Sequence, residues 1–356
     1  MKPIKVLIVD DSKFIQTILT QIFSMDPEVH VVGAADDAFM ARDMIKELNP
    51  DIITLDISMP GMDGITFLRN LMRLRPMPVV MISSFTAKGA DLTLEALALG
   101  AIDFLLKPSE SDLTKNLAAF ANQVLYVVKS AANANIKYYT IPHNKYENLK
   151  LTATELFLKE QVIAIGASTG GVSAIDTILS QLPPLLPALV ICQHIRKEIV
   201  ESFARRMNEH YNFITAIPKT FEPLKPGHIY IAPGDIHLQI GKTEKDYQCL
   251  LSGEPRDHIH KPSIDVLFSS VAKSVGRNAV GVLLTGMGAD GALGLKEILQ
   301  AGGNTIAQDE ETSVVWGMPK TAVDLQAAEY ILPIDDISKK IIDILNERAR
   351  DKGAEP

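Results

Sequence analysis

The sequence VIAIGASTGG occupies residues 162–171 and decides the fold of the second half of this chain. Its first four residues are apolar and predict a buried β-strand, and the apolar periodicity after it predicts a helix. Between the two, Gly166–Gly170 fits G-x-S-x-G, the pattern of a nucleophile elbow that exposes Ser168 at a helix N-terminus. A glycine-rich strand-to-helix turn also cradles phosphates, so the motif alone leaves both interpretations open.

Two later segments supply the partners that a serine nucleophile needs. Val190–His194 ends an apolar strand with a histidine, and Val282–Gly291 continues an apolar strand into a glycine-rich loop that contains Asp290. A serine hydroxyl needs a base, and the base needs an anion to hold its tautomer, so Ser168, His194 and Asp290 are candidate catalytic residues. A dinucleotide-binding fold would place an acid where this chain has His194, which favours a hydrolase.

Each of these partners has another interpretation. His194 could be an ordinary strand-end histidine, and Asp290 could be the N-cap of a helix at Leu293–Leu299. Cys192 is a rival nucleophile, although a cysteine in an apolar strand is more often a small core residue. The stretch His258-Ile259-His260 could bind a metal, but no third ligand is evident and a solvated loop is favoured. The order Ser-His-Asp does not indicate the large α/β-hydrolase fold.

The second half continues as alternating strands and helices, with one antiparallel excursion. Ile229–Ala232 and Ile236–Ile240, separated by Pro233-Gly234-Asp235, are interpreted as a hairpin. The other predicted strands are Val162–Ile165, Leu189–Cys192 and Val280–Leu284, and the predicted helices include Val172–Leu182, Ile199–Met207, Leu293–Leu299 and Ile337–Leu345.

The first third alternates five apolar runs with five amphipathic segments, a pattern that predicts a parallel sheet covered on both faces. The predicted strands are Ile4–Val9, Val29–Ala34, Ile52–Leu55, Val79–Ile82 and Ile102–Leu105, and the predicted helices are Phe14–Phe23, Ala38–Leu48, Ile65–Leu74, Leu92–Leu99 and Leu113–Val128. A polar stretch rich in Asn and Tyr follows, with one helical turn at Thr154–Leu158. The fold class is therefore α/β with two domains, at 1–131 and 161–348, joined by a linker at 132–160.

Acidic side chains meet at one edge of the first predicted sheet. Asp10-Asp11 end the first strand and Asp56 follows the third, so the three carboxylates lie side by side and suit Mg²⁺. Ser83 and Lys107 fall at the ends of two further strands. A hydroxyl, an ammonium group and a metal around one carboxylate form a phosphoryl-acceptor site. Taken alone, Asp11 or Ser12 could be merely a helix N-cap, and Asp63-Gly64 merely a turn.

The first third resembles a response-regulator receiver domain, over essentially residues 2–131. The resemblance rests on Val9–Ser12, Leu55–Gly64, Ile82–Ser84 and Leu106–Pro108. It implies that Asp56 accepts the phosphoryl group. It further implies Mg²⁺ ligands at Asp10, Asp11, Asp56 and the Ser58 carbonyl, phosphoryl contacts from Ser83 and Lys107, and an aromatic switch at Phe104.

The region from about residue 161 to 345 resembles the catalytic domain of chemotaxis methylesterases. The motifs that carry this resemblance are Ile165–Gly171, Cys192–His194, Pro226–Leu238, Pro262–Asp265, Leu284–Gly291 and Ala307–Pro319. By resemblance, Ser168 is the nucleophile, His194 the general base and Asp290 its orienting acid. The backbone amide of Met287 would help to stabilise the oxyanion, with Thr169 near the site.

The combined resemblance implies an enzyme that demethylates glutamyl methyl esters on chemoreceptors during chemotactic adaptation. Deamidation of receptor glutamines would use the same chemistry. A sensor histidine kinase would be the phosphodonor. The order of receiver, linker and hydrolase suggests control in cis, and our hypothesis is that the unphosphorylated receiver covers the Ser168 cleft and that phospho-Asp56 weakens this contact. The competing class is a non-enzymatic response regulator whose second domain binds a partner or a nucleotide.

Composition narrows the remaining classes. The formal net charge of −8 argues against a general nucleic-acid binder, and 47% hydrophobic with 22% charged residues is typical of a globular protein. Two cysteines imply no disulfide framework. We identify neither a signal peptide nor an apolar run long enough to span a bilayer, so we expect a cytoplasmic protein that acts at receptor arrays without being embedded in the membrane.

Overall fold

The computed structural model describes residues 2–83, 87–107, 110–136, 149–244, 246–254 and 260–354. The chain divides into two compact units, Met1–Ile141 and Pro142–Pro356. Within the described ranges, no helix combines the length and the apolar character needed to cross a membrane.

The first unit is a five-stranded parallel sheet with the order β2-β1-β3-β4-β5. Its strands are β1 Ile4–Val9, β2 Val29–Ala35, β3 Ile52–Leu55, β4 Val79–Ser83 and β5 Asp103–Leu106. Its helices are α1 Lys13–Ser24, α2 Ala38–Leu48, α3 Gly64–Leu74, α4 Ala87–Ala98 and α5 Glu110–Ala132. All five predicted strands and helices are present. β3 is buried along its whole length, as expected for a strand covered on both faces.

The second unit contains a seven-stranded sheet, parallel throughout, with the order β14-β13-β12-β6-β7-β9-β8. Its strands are β6 Val162–Ala167, β7 Ala188–Gln193, β8 Ile214–Ala216, β9 His228–Ile231, β12 Ala279–Leu283, β13 Asn304–Gln308 and β14 Tyr330–Leu332. Between β9 and β12, β10 His237–Lys242 and β11 Tyr247–Ser252 form a separate sheet. The helices are α6 Glu155–Glu160, α7 Gly171–Leu179, α8 Lys197–His210, α9 Ile264–Ser274, α10 Ala292–Gln300, α11 Met318–Asp324 and α12 Ile334–Asp351.

The antiparallel hairpin exists, but its strands differ from the predicted pair. β9 pairs in parallel with β7 and belongs to the main sheet, whereas β10 pairs antiparallel with β11. The Pro233-Gly234-Asp235 turn between β9 and β10 therefore connects two different sheets and does not close a hairpin. Gly234 lies so close to the start of α8 that a Cβ atom there would stand 2.1 Å from the backbone nitrogen of Lys197. That close packing against another helix cannot be inferred from turn composition.

The end of the predicted linker packs on the second unit. The predicted helical turn is α6, whose first turn is capped by the Thr154 hydroxyl accepting from the amide of Phe157 at 3.3 Å. Lys352 forms an ion pair with Glu160 at 2.8 Å, and Thr152 donates to the Asn346 side chain at 2.9 Å. The predicted domain limits stay a prediction, and most of the predicted linker, residues 137–148, lies outside the described residues.

Arg348 on α12 fastens that helix to the sheet. Its guanidinium donates to the Gln161 side chain at 2.9 Å and to the backbone carbonyl of Ala279 at 3.0 Å, and also to Asn304. Burial lowers the pKa of Arg348 to about 10, with Glu329 acting in the opposite direction. These contacts join the C-terminal helix to the amino ends of three neighbouring strands.

We expect Arg348→Ala to destabilise the second unit by about 2–3 kcal/mol, because it removes charge-assisted hydrogen bonds and leaves buried acceptors unpaired. Urea unfolding followed by the fluorescence of Trp316, the single tryptophan, measures this unit directly. Arg350→Ala, an exposed arginine on the same helix, is the matched control. If Arg348→Ala had the same unfolding midpoint as Arg350→Ala, the proposed stabilising role of Arg348 would be contradicted.

Candidate active site

The sheet of the second unit brings three predicted catalytic residues to one edge. β6 lies between β12 and β7, and all three strands run parallel. Ser168 follows β6, His194 follows β7, and Asp290 lies in the loop after β12. After β6, the chain continues to β7 on one side of it, and β12 later pairs with β6 on its other side. The site therefore lies at a topological switch point, where open α/β sheets bind ligands.

The turn after β6 holds Ser168 by its backbone. The Ser168 amide donates to the carbonyl of Thr285 at 3.0 Å, and the Gly171 amide donates to the carbonyl of Ser168 at 2.7 Å. Gly170 has a φ of 76°, in the region that favours glycine, and a Cβ atom there would also lie 2.6 Å from Cβ of Val314. The glycine therefore permits both the turn and the close packing that present Ser168 at the start of α7.

The side chains of the three residues form a continuous hydrogen-bonded series. Oγ of Ser168 lies 3.2 Å from Nδ1 of His194, and Nε2 of His194 lies 2.8 Å from Oδ2 of Asp290. The imidazole and the carboxylate are both largely buried, with side chains 11% and 10% exposed. Because the carboxylate accepts from Nε2, the favoured tautomer leaves the lone pair of Nδ1 facing the serine hydroxyl. That arrangement suits proton abstraction from Ser168.

Asp290 is held by four donors. Oδ1 accepts from the hydroxyl of Ser263 and the amide of Asp265, both at 2.9 Å. Oδ2 accepts from the amide of Ile264 and from His194, both at 2.8 Å. The carboxylate therefore sits against the first amides of α9, where the helix dipole also favours negative charge. The alternative interpretation, an N-cap for the following helix, is not what the structure shows, since Gly291 precedes α10 without a side-chain cap.

The pKa of Asp290 reflects two opposed effects. Burial raises the pKa of this carboxyl, but the hydrogen bond and charge of His194 and the amides of Asp265 and Ile264 lower it, and the net result is a pKa well below the usual value. Asp290 is therefore an anion at neutral pH, as required of a group that orients a histidine and stabilises its protonated form.

Two further residues touch the series and were not identified from the sequence. The ring of His260 stacks on that of His194, with centroids 4.4 Å apart and an interplanar angle of 22°. His260 lies in a loop, as predicted, and is half-buried there; His258 and Ile259 lie outside the described residues. Gln193 is buried and its side-chain amide donates to the carbonyl of Ser168 at 2.9 Å. The only feature of the sequence that could have indicated a role for Gln193 is its position next to His194 in the motif.

The remaining predicted residues of this site lie around Ser168. Thr169 is the next residue, and its carbonyl accepts from the Thr285 hydroxyl at 3.0 Å. Met287 follows Gly286, where a Cβ atom would stand only 2.7 Å from Cβ of Ser168. The backbone at Met287 is thus close to the serine, while its oxyanion role stays a prediction.

The rival nucleophile Cys192 is fully buried among the apolar side chains of the sheet. Burial, together with the charge of Asp290, raises the pKa of this thiol well above its usual value. Both effects suppress the thiolate, which is the reactive form of cysteine. Cys192 is therefore a core residue in this structure, and Ser168 is the nucleophile that the geometry favours.

The first unit gathers its predicted acids at the carboxyl edge of its sheet. Asp10 and Asp56 are buried, Asp11 is exposed, and one carboxylate oxygen of each can be chosen so that all three lie within 4.8 Å of one another. Nζ of Lys107 lies 2.7 Å from Oδ2 of Asp10 and 2.7 Å from Oδ2 of Asp56. Three carboxylate donors with one exposed side fit a hard divalent cation such as Mg²⁺, which keeps some of its waters.

The charge balance of this pocket is incomplete. Burial raises the pKa of Asp10 despite the hydrogen bond and charge of Lys107, and the charge of Asp56 raises it further. Burial lowers the pKa of Lys107, but Asp10 and Asp56 outweigh that effect and raise it. Two buried carboxylates share the single ammonium group of Lys107, so an additional cation would be stabilised beside them.

The other residues predicted for this pocket occupy the same edge. Ser83 is buried at the end of β4, and its carbonyl accepts from the Lys107 amide at 2.8 Å. Phe104 is half-buried on β5 beside Met81 of β4, and Ser58 is exposed two residues after Asp56. At Gly64 a Cβ atom would meet the Asp56 carbonyl oxygen at 1.9 Å, so only glycine lets α3 begin this close to the acid.

A response regulator with an enzymatic output domain is the class that this fold and these two sites define. The family model for a response regulator receiver domain matches residues 6–118, and the CheB methylesterase model matches residues 163–341. The chain belongs to the CheB methylesterase family.

Full-length relatives agree with that assignment. A protein-glutamate methylesterase/protein-glutamine glutaminase of Hydrogenovibrio crunogenus is 45% identical over 98% of this chain and 100% of its own length. One named protein-glutamate methylesterase/protein-glutamine glutaminase 2, of Saccharophagus degradans, is 48% identical over 96% of this chain and 99% of its own. Among solved structures, the CheB methylesterase catalytic domain of Thermotoga maritima is 34% identical with a TM-score of 0.50, covering 52% of this chain and 98% of that domain.

Proposed function

We propose that this protein is a protein-glutamate methylesterase whose activity is raised by phosphorylation of its receiver, and that it acts in chemotactic adaptation. Its substrates would be glutamyl methyl esters on chemoreceptors. The observation that carries the proposal is the series Ser168–His194–Asp290, at 3.2 and 2.8 Å, beside the turn that exposes the serine. The names of the full-length relatives support the substrate class.

The reaction follows from this series in two halves. Nδ1 of His194 takes the proton of the Ser168 hydroxyl while Oγ attacks the ester carbonyl carbon, and Asp290 stabilises the imidazolium that forms. When the tetrahedral intermediate collapses, the bond to the methoxy oxygen breaks and His194 returns its proton to give methanol. Water then attacks the acyl-serine with His194 again as base, which releases the free glutamate and restores Ser168.

Stabilisation of the oxyanion is assigned to backbone amides beside Ser168. The Met287 amide is the candidate donor, since a Cβ atom on the preceding Gly286 would stand only 2.7 Å from Cβ of Ser168. A donor of this kind contributes about 3 kcal/mol to the transition state. The same steps applied to a glutamine side chain would release ammonia, and deamidation is therefore proposed as a second reaction of the same site.

The first unit is proposed to be the control element. Asp56 would attack the phosphorus atom of a phosphohistidine on a sensor kinase, and the bond from phosphorus to the histidine nitrogen would break. Lys107 and Ser83 would contact the transferred group, with Phe104 as the aromatic switch. Asp10, Asp11, Asp56 and the Ser58 carbonyl would hold Mg²⁺, which when bound neutralises part of the phosphoryl charge.

The test of the function is release of methanol from methylated chemoreceptors. We expect the full-length protein to release methanol slowly by itself and faster with Mg²⁺ and a small-molecule phosphodonor such as phosphoramidate. If folded protein binds the receptor yet releases no methanol under either condition, the methylesterase proposal fails and a binding module replaces it.

Asp56→Asn is expected to keep the basal rate of methanol release but to abolish its stimulation by phosphodonor, because the amide oxygen of the substituted side chain is too weak a nucleophile to take the phosphoryl group. The assay compares rates with and without phosphoramidate and Mg²⁺. Asp43→Asn, which removes an exposed carboxylate on α2 of the same unit, is the control and should respond as the wild type does. A stimulated Asp56→Asn variant would place the phosphorylation site elsewhere.

Control in cis is proposed from the order of the domains. The unphosphorylated receiver would limit access to Ser168, and phospho-Asp56, which adds about −1.5 to −2 charges, would relieve that inhibition. A chain that begins at residue 149 retains α6 and its contacts with α12. We expect this truncated chain to release methanol faster than the unphosphorylated full-length protein; an equal or lower rate in the folded fragment would exclude inhibition by the receiver.

A further inference from the structure

His260 lies against the face of the catalytic imidazole and has no role in the mechanism above. Its ring centroid is 4.4 Å from that of His194 and the two planes are inclined by only 22°, a face-to-face contact between two half-buried histidines. In each catalytic cycle His194 exchanges protons with Ser168, the departing methoxy group and water, so this contact is made with the proton-transfer group itself.

The two hydrogen bonds of His194 leave one motion unrestrained. Both bonds, to Ser168 and to Asp290, act at the two ring nitrogens. An imidazole held at two points on its edge can still rotate about the line that joins those points, which tilts the ring and weakens the alignment of both bonds. A flat group on the face of the ring opposes that rotation, and His260 occupies this position.

The segment that carries His260 also holds Asp290. Within residues 260–265, Ser263 donates its hydroxyl to Asp290, and its amide donates to Nδ1 of the fully buried His237 at 3.1 Å. One short stretch of chain, residues 260–265, therefore positions both the His260 ring and the Asp290 carboxylate, and this stretch is bonded to His237 at the start of β10.

We propose that His260 is a positioning residue for the general base. Its ring restrains His194 in the orientation and tautomer that accept the Ser168 proton. Burial and the neighbouring His194 lower the pKa of His260, with Asp290 acting in the opposite direction, so it is chiefly a neutral aromatic plate at neutral pH. A neutral ring beside His194 also favours the imidazolium that forms in the transition state. The role rests on the proposed hydrolase function of Ser168 and His194.

The kinetic test compares His260→Ala with His260→Phe in the full-length protein. We expect His260→Ala to lower kcat for methanol release about 10- to 100-fold with KM within about 2-fold, because misalignment affects the reacting groups and not the binding of the receptor. His260→Phe retains the flat face and is expected to keep kcat within about 3-fold of the wild type. His210→Ala, an exposed histidine on α8, is the control. A wild-type kcat in His260→Ala, or equal losses of kcat in His260→Ala and His260→Phe, would overturn the positioning role of His260.

A second measurement is independent of any substrate. The protein labelled with ¹⁵N in its eight histidines reports the tautomer of His194 by long-range ¹H–¹⁵N correlation. We expect a single Nε2–H tautomer in the wild type and in His260→Phe, and a mixture in His260→Ala. An unchanged single tautomer in His260→Ala would overturn the proposal. If the wild type releases no methanol, the methylesterase assignment fails, whereas the tautomer comparison still decides the positioning role.

Discussion

Ser168→Ala is expected to lower the rate of methanol release by a factor on the order of 10⁵, which leaves only the contribution of binding and oxyanion stabilisation. The variant removes the oxygen that forms the acyl-enzyme, and no other described hydroxyl lies in the same series. Its fold should be intact, because the backbone contacts of Ser168 with Thr285 and Gly171 do not involve the side chain. The rate is measured as methanol released from methylated chemoreceptors under phosphodonor and Mg²⁺.

Ser180→Ala is the matched control for that experiment. Ser180 ends α7, the helix that begins beside Ser168, and its exposed hydroxyl donates to its own helix, at the carbonyl of Thr177. This variant should retain wild-type activity and the same unfolding midpoint. If Ser168→Ala kept more than about a hundredth of the wild-type rate, covalent catalysis by Ser168 would be excluded.

Asp290→Asn is expected to lower kcat by about 10³- to 10⁴-fold and also to destabilise the second unit by about 1–3 kcal/mol. Each carboxylate oxygen now accepts from two donors, one of which is a backbone amide. An asparagine must place its NH₂ group at one of these positions, so at least one backbone amide loses its acceptor. If that NH₂ faces His194, the imidazole is driven to the tautomer that cannot take the Ser168 proton.

The two effects of Asp290→Asn are separated by measuring both on the same preparation. Methanol release gives kcat, and urea unfolding followed by Trp316 gives the stability of the unit. Asp246→Asn removes an exposed carboxylate beside β11 and should change neither quantity. A folded Asp290→Asn variant with wild-type kcat would show that His194 needs no anion, which would contradict the triad.

The strands that form the two sites were predictable because each is a continuous apolar run. β3 agrees with its prediction at both ends, and β6 and β7 extend it by only one or two residues, since strands covered on both faces exclude polar residues. β13 and β14 were not predicted: β13 begins with Asn304 and Thr305, and β14 has three residues, of which Ile331 is exposed. Short or polar strands at the margin of a sheet carry little of the signal that periodicity needs.

The surroundings of Asp290 could not be inferred because they depend on contacts between distant parts of the chain. An aspartate just before a helix is a plausible local cap, and the sequence allowed that interpretation. In the fold, the same carboxylate accepts hydrogen bonds from the start of α9, about 25 residues earlier in the sequence, and α9 packs on α10, the helix that follows the loop. The contact between His260 and His194 could not be inferred for the same reason, since the two residues are far apart in sequence.

The Ser168 and Asp290 side chains differ in how much they contribute to the fold, and this difference has a consequence for evolution within the family. The Ser168 side chain contributes a reactive oxygen and little to the fold, whereas the Asp290 side chain closes the start of a helix as well as orienting the base. A lineage that gave up hydrolysis and kept the domain as a scaffold would lose the serine freely but would meet selection against losing the aspartate. Pseudoenzymes of this architecture should therefore be recognisable by an intact aspartate beside a missing serine.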